Sequence, residues 1–194
     1  MNLKGKHWLI LGLGKSGRAA ARLLVSRGAR CVLWDSRNDS THDEFAKSLG
    51  DGVTDYMCGG ELPEGTFDGG IISPGIALDN PVAVKAREQC ALWIGEIELA
   101  WRLWKGRTVA VTGTNGKSTT TKLTADILSE GGVSAIACGN LGIPFAEVVL
   151  DHPEHEVAVV EVSSFQLESI DQFRPEVSVY LNLAADHLDR YEDL

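Results

Sequence analysis

Twice along this chain an apolar run of strand length ends in a glycine loop that opens a helix. That pattern restricts the fold more than any other feature of its 194 residues. His7–Leu11 (HWLIL) runs into Gly12-Leu13-Gly14-Lys15-Ser16-Gly17, followed by a segment with Ala19, Ala20, Leu23 and Leu24 on one helical face. Thr108–Val111 runs into Thr112-Gly113-Thr114-Asn115-Gly116-Lys117-Ser118-Thr119 and a helix expected over Lys117–Leu128. Further apolar runs at Arg30–Trp34, Phe67–Ile72, Val133–Ala137, Val157–Val162 and Val177–Leu181 read as buried strands. Helices are expected at Ser16–Arg27, Asp43–Leu49, Pro81–Gln89 and Glu96–Trp104. Strands that alternate with helices pair in parallel, so the fold class is α/β with doubly wound parallel sheets.

The alternation pauses at Glu96–Trp104 (EIELAWRLW), an amphipathic helix closed by Lys105-Gly106, and restarts at Thr108. A domain boundary is therefore expected near Arg107. Residues 1–106 form a Rossmann-like first domain, and residues 107–194 the start of a P-loop α/β ATP-binding domain. The second unit stops after Asp193-Leu194 with no terminal element, so the chain reads as the front part of a longer protein. On that reading much apolar surface of Val109–Val111, Val157–Val162 and Val177–Leu181 should lack cover.

Charge narrows the partners. Eighteen Lys and Arg against 27 Asp and Glu give a net charge of −9. Nucleic acids and anionic membranes call for a cationic field, so neither is expected as a partner. Phosphorylated small molecules stay open, because a few local donors suffice to hold them. No apolar run approaches the ~20 residues of a membrane span, and the first residues carry no signal-peptide pattern. Cys31, Cys58, Cys90 and Cys138 include no CxxC pair, a poor pattern for zinc or a disulfide framework. A reduced, cytoplasmic protein is expected.

The first loop is GxGxxG directly after a strand, with Asp35 at the end of the next strand. Its glycines let the backbone approach a ligand, and the helix start offers unpaired N–H groups to an anion. Asp35 is placed to accept hydrogen bonds from a hydroxyl or a base edge. NAD is the obvious ligand, and a nucleotide sugar fits the same features. The second loop carries GK[ST]. The usual GxxxxGK[ST] would require glycine where Val111 stands, and Gly113 takes that part instead. Successive loop N–H groups still form an anion nest. Lys117 reaches toward β- and γ-phosphates, and the Ser118 hydroxyl can ligate Mg²⁺. Glu161 lies near the end of the apolar run Val157–Val162, where ligands of open parallel sheets bind. A glutamate there is costly without a cation, so it is a candidate metal ligand. His187, in Asn182-Leu183-Ala184-Ala185-Asp186-His187, follows the next strand and is a second candidate.

Together these residues resemble the Mur ligase family, ATP-dependent enzymes that add amino acids to the peptidoglycan precursor. The loop Gly113–Thr119 (GTNGKST), the Glu-bearing strand and the N-x(4)-H segment occur in the family's order. Glu161–Glu168 (EVSSFQLE), Gly12–Gly17, Ser73-Pro74-Gly75-Ile76 and Asp186–Tyr191 (DHLDRY) resemble the D-glutamate-adding members. The resemblance implies that the first domain binds the uridine diphosphate of UDP-N-acetylmuramoyl-L-alanine. Leu13, Lys15, Ser16, Asp35, Ser36, Arg37, Ser73, Pro74 and Gly75 would contact it, and Asn140 the pyrophosphate or muramoyl group. It implies ATP at Gly113, Thr114, Asn115, Gly116, Lys117, Ser118 and Thr119, and Mg²⁺ at Ser118, Glu161 and His187. Lys117, Glu161 and His187 would be the catalytic set of a monomeric, cytoplasmic enzyme with D-glutamate as second substrate. Family members carry a further lysine, modified to a carbamate, and a third domain. Neither is in this sequence, so the chain alone is expected to be inert. Two other readings remain, an NAD(P) oxidoreductase from the first loop alone and a non-enzymatic nucleotide-binding fragment.

Overall fold

The structure, a computed structural model, describes residues 1–140 and 142–184. The first half runs β1 (His7–Leu11), α1 (Lys15–Ser26), β2 (Arg30–Asp35), α2 (Ser40–Ser48), β3 (Val53–Cys58), β4 (Gly69–Ile72), α3 (Pro81–Glu88), β5 (Trp93–Gly95) and α4 (Glu96–Leu103). Its sheet has the order β3-β2-β1-β4-β5, and all pairings are parallel. The second half runs β6 (Arg107–Thr112), α5 (Lys117–Glu130), β7 (Ala135–Gly139), α6 (Phe145–Asp151), β8 (Val157–Glu161), α7 (Ser164–Leu167) and β9 (Val177–Tyr180). Its sheet has the order β7-β8-β6-β9, again parallel. The α/β class expected from strand–helix alternation is what the chain adopts.

In the first sheet the chain winds outward from β1 to β2 and β3, then returns to lay β4 on the other side. The crevice beyond the carboxyl ends of β1 and β4 is thus a topological switch point, where open α/β sheets bind ligands. Helix α1 lies close to the sheet because Gly17, Ala19, Ala20 and Ala21 are small and buried. One hydrophobic cluster runs from Ile10 of β1 through α1, α4 and α6 to Ala158 and Val160 of β8. Trp104 meets Phe145 edge-on, with ring centroids 5.8 Å apart, where α4 passes α6. The two sheets are therefore joined through shared helices.

Two strands, one strand start and one helix depart from the sequence expectation. β3 (VTDYMC) is an edge strand with Thr54 and Asp55 exposed, so it has no apolar run to announce it. β5 has only three residues. The strand expected from Phe67 begins at Gly69, and Phe67 forms only an isolated bridge to Cys90. α6 (FAEVVLD) spans two turns after Pro144, too short for a periodic signal. It accounts for a correction: Val157–Val162 does not lack cover but is buried throughout. Side chains alternate along a strand, so Val157 and Val159 pack with Ala125 of α5, while Ala158 and Val160 join the α6 side. Val111 is buried too, and of these three strands only β9 carries exposed large apolar side chains, with Val177 50% and Tyr180 62% exposed.

Glu98 of α4 fastens the loop before β9. Its fully buried carboxylate accepts the backbone N–H groups of Asp171, Gln172 and Phe173 at 2.8–3.1 Å and the Arg102 Nε at 2.6 Å. Removing one partner of a buried, hydrogen-bonded charge pair costs ~3–5 kcal/mol. Glu98→Ala is therefore expected to lower unfolding free energy by about 3 kcal/mol or more in urea titration. A midpoint within error of the parent would contradict this role. Among the described residues, no helix is long and apolar enough to cross a membrane.

Candidate functional site

The first glycine loop leaves β1 with Gly12 at φ +92°, a backbone conformation that favours glycine. A side chain on Gly12 would press on Ser73, and one on Gly17 would overlap the Gly12 carbonyl oxygen. The glycines thus serve close passage of loop, helix and the strand β4 exit. No side chain caps α1, because its N-cap is Gly14, so its first N–H groups face outward. They open on a cleft of about 310 Å³ lined by Gly12, Gly14, Lys15, Ser16, Asp35, Ser36, Arg37 and Ser73–Ile76. Nearly every residue expected at a uridine diphosphate is gathered here.

Three of the expected residues, Leu13, Asp35 and Ser73, make hydrogen bonds within the protein. Leu13 is 1% exposed and belongs to the core, so it is absent from the cleft wall. Its N–H donates to Asp35 Oδ2 at 2.7 Å. The other Asp35 oxygen accepts the Arg37 N–H at 2.9 Å and Arg37 Nε at 3.4 Å. Asp35 is buried with both oxygens engaged, so it holds the loop, and it also lines the cleft. Burial alone would raise its pKa, but the Leu13 and Arg37 N–H groups outweigh this and hold it below the usual carboxylate value. Ser73 is likewise used internally, its hydroxyl donating to the Gly12 carbonyl at 2.8 Å. Lys15, Ser36, Arg37 and Gly75 are the exposed groups, and Ser16 and Pro74 are half-buried.

The second loop leaves β6 with Gly113 at φ +136° and Gly116 at φ +85°. Gly116 is the N-cap of α5 and offers no side chain, so this helix start is also open. Lys117 folds back over the loop and donates to the Gly113 carbonyl at 2.7 Å and the Thr114 carbonyl at 2.9 Å. Ser118 donates to Glu161 Oε2 at 2.8 Å, and Asn140 Nδ2 to Glu161 Oε1 at 2.9 Å. Glu161 is buried, and its side-chain hydrogen-bond partners among the described residues are both neutral. Its backbone also holds the β7 exit, through the Asn140 N–H at 2.8 Å. Thr119 is exposed on the first turn of α5. His187 lies outside the described residues.

Asn182 is a loop residue the sequence reading did not place in the site. Its Oδ1 accepts the Asn115 N–H and its Nδ2 donates to the Asn115 carbonyl, both at 2.9 Å. The Asn182 carbonyl accepts the Thr114 N–H at 3.1 Å. This two-way amide pairing fixes the tip of the glycine loop to the end of β9. Its position as first residue of the N-x(4)-H segment was the available signal. A separate group, His152, Glu154 and His155, brings ligand atoms within 4.8 Å of one another. It precedes β8, at the opposite end of that strand from Glu161.

A Lys-bearing anion loop beside a buried glutamate, together with a Rossmann-like cleft, is a pairing that comparison with known proteins resolves. Residues 6–95 match the Mur ligase MurD-like N-terminal domain, and residues 111–194 match the Mur ligase middle domain. The chain belongs to the Mur ligase family. It is 41% identical over all of its length to UDP-N-acetylmuramoylalanine--D-glutamate ligase of Alkaliphilus metalliredigens, covering 44% of that protein. Against the ligase of the same name from Koribacter versatilis the identity is 43%, over 98% of this chain and 43% of the relative. This Mur ligase chain therefore spans less than half the length of these curated relatives. The solved UDP-N-acetylmuramate-alanine ligase MurC of Thermotoga maritima is similar over 97% of this chain and 44% of its own. It has a TM-score of 0.57 at 24% identity, which shows a shared fold.

Asp35 gives the Mur ligase chain a testable acid sensitivity. A carboxyl whose folded pKa is lowered contributes stability that is full above its unfolded value, ~3.9, and is lost as pH falls through the folded value. Asp35→Asn is expected to remove that part of the acid dependence. It also leaves one loop N–H facing an amide donor, at a cost of ~1–3 kcal/mol near neutrality. Melting temperatures of both proteins between pH 2.5 and 7 check this. Parallel curves with no offset would contradict the role.

Proposed function

We propose that this chain carries the nucleotide-sugar and ATP sites of a ligase joining D-glutamate to UDP-N-acetylmuramoyl-L-alanine in peptidoglycan precursor synthesis. The observation that carries the reading is the convergence of Lys117, Ser118, Asn140 and Glu161 on one glycine loop of a Mur ligase chain. Residues 1–106 form the UDP-substrate unit and residues 107–194 belong to the ATP unit. The uridine diphosphate occupies the cleft at the end of β1. Lys15, Ser16 and the open start of α1 face its phosphates, and Ser36, Arg37 and Ser73–Gly75 form the surrounding wall. Lys15 also lines a second cleft with Gly142, Ile143 and Pro144, which leads toward the turn bearing Asn140. That turn receives the pyrophosphate or muramoyl part.

ATP lies on the loop Gly113–Thr119. Lys117 exchanges two backbone carbonyls for phosphate oxygens, a stronger charge-assisted interaction. Ser118 Oγ and Glu161 Oε2 are hard oxygen donors 2.8 Å apart, and the buried carboxylate has only neutral partners, so the pair fits Mg²⁺. Bound there, the ion supplies neutralisation of triphosphate charge. His187 is the proposed further ligand. A carboxylate resists attack by an amine until it is activated. The alanyl carboxylate attacks the γ-phosphorus, ADP leaves, and an acyl phosphate forms. The D-glutamate amine then displaces phosphate, forming an amide. Lys117 and the loop N–H groups act by positioning and by stabilising transferred charge. The enzyme acts as a cytoplasmic monomer on small molecules, without nucleic acid or membrane.

Calorimetry on this chain decides the first cleft. UDP-N-acetylmuramoyl-L-alanine is expected to bind more tightly than NAD, and tighter NAD binding would overturn the reading. In a full-length ligase, Lys117→Ala is expected to cut turnover at least about a hundredfold, the scale of losing one charge-stabilising donor. Glu161→Gln should raise the Mg²⁺ concentration needed for half-maximal rate. Parent-like kinetics in either variant would remove that residue from the site.

A further inference from the structure

Helix α4 carries a second buried carboxylate, Glu96, which takes no part in the chemistry above. It is 2% exposed and reaches across from the first half of the chain into the second. Its Oε1 accepts the Ala146 N–H at 2.5 Å. That N–H lies in the first turn of α6, where no helical carbonyl is available to it. The N-cap there, Pro144, supplies no side-chain cap either. The other oxygen, Oε2, is buried with no hydrogen-bond partner among the described residues. A buried, half-satisfied carboxylate costs free energy unless it secures something in return.

What it secures is the segment that presents Asn140. Six and five residues before Phe145 stand Gly139 and Asn140 at the β7 exit, where the Gly139 N–H donates to the Ile143 carbonyl at 2.9 Å. Asn140 meets Glu161 twice, by its backbone N–H and by its side-chain amide. Gly139 lies so close that a side chain there would overlap the Glu161 carbonyl oxygen. A small displacement of α6 along its axis therefore changes how Asn140 meets the carboxylate placed at the nucleotide loop. Phe145 and Ala146 are fully buried beside Trp104, which follows α4, so the contact is rigid on both sides.

We propose that Glu96 is a positioning residue that, by holding the first turn of α6 from α4, sets Asn140 against Glu161 and so couples the first sheet to the nucleotide site. The proposal rests on the reading of Gly113–Thr119 as an ATP loop. Burial pushes the Glu96 carboxyl up to about 7, opposed in part by the Ala146 N–H, and the facing Cys138 thiol of β7 is raised by its own burial and by Glu96. Neutral or charged, the oxygen facing Ala146 remains an acceptor. Glutamine keeps that acceptor, whereas methionine has similar length and volume but lacks it.

Hydrogen exchange of this chain, with Glu96→Gln and Glu96→Met, reads the positioning without any ligand. Amides 139–146 are expected to exchange about tenfold faster in Glu96→Met than in the parent and at the parent rate in Glu96→Gln. Amides of β1 and β4 should be unchanged in both and serve as the folding control. Fluorescent ATP with Mg²⁺ should bind about tenfold more weakly to Glu96→Met, the scale of losing a group that orients a ligand, and normally to Glu96→Gln. In an Asn140→Ala background Glu96→Met should cause no additional loss, because the effect passes through Asn140. Parent-like exchange at 139–146 in Glu96→Met overturns the proposal, as does an undiminished loss in the Asn140→Ala background. Failure of the parent to bind ATP would instead remove the ATP reading, with exchange still deciding the positioning.

Discussion

A carboxylate at the end of the neighbouring parallel strand holds each glycine loop, and the rest of the site is arranged around those two contacts. Asp35 ends β2, beside β1, and accepts the Leu13 N–H of the first loop. Glu161 ends β8, beside β6, and accepts the Ser118 hydroxyl at the start of α5. A loop that turns from strand to helix within a few residues leaves N–H groups unpaired. An acceptor fixed by the sheet register settles some of them and leaves the rest facing the crevice. The two carboxylates differ in what surrounds them. Asp35 receives a backbone N–H group on each oxygen, while Glu161 has neutral side-chain partners, the Ser118 hydroxyl and the Asn140 amide.

Much of this was legible in the residues. GxGxxG and GK[ST] after apolar runs placed both loops, because the steric need for glycine and the open helix start are local properties. β1 has the bounds expected of it, and β6 and β8 lie within a residue or two, because apolar runs flanked by turn residues mark buried parallel strands. The roles of single carboxylates were less legible. Asp35 was read as a ligand acceptor, and its bond to the Leu13 N–H was not foreseen, since its place in the sequence is the same whether its oxygens face outward or back to Leu13. Glu96 and Glu98 were read only as part of an amphipathic helix, EIELAWRLW. The structure buries both, because Glu96 meets α6 and Glu98 meets the loop before β9 rather than water. No local pattern records a contact made 50 or more residues away.

Burial of those two glutamates explains why the halves of this chain are not independent. Glu98 fastens the loop leading to β9, and the segment after β9 supplies Asn182 to the tip of the second glycine loop. Glu96 fastens α6, and the turn before α6 supplies Asn140 to Glu161. The first turn of α4 thus sets two supports of the second glycine loop from the side of the first sheet. A ligand that stiffened the first cleft would act on α1, which packs against both α4 and α6 in one continuous core.

We propose that Lys117 and Glu161 are held ready by weaker internal partners that a bound nucleotide replaces. The most direct measurement is a crystal structure of this chain with a non-hydrolysable ATP analogue and Mg²⁺. The account predicts that Lys117 Nζ leaves the Gly113 and Thr114 carbonyls for phosphate oxygens. It predicts that Ser118 and Glu161 turn from each other to the ion, while Asp35 keeps its bond to Leu13. An analogue bound elsewhere, with Lys117 still on the loop carbonyls and Ser118 still on Glu161, would contradict it.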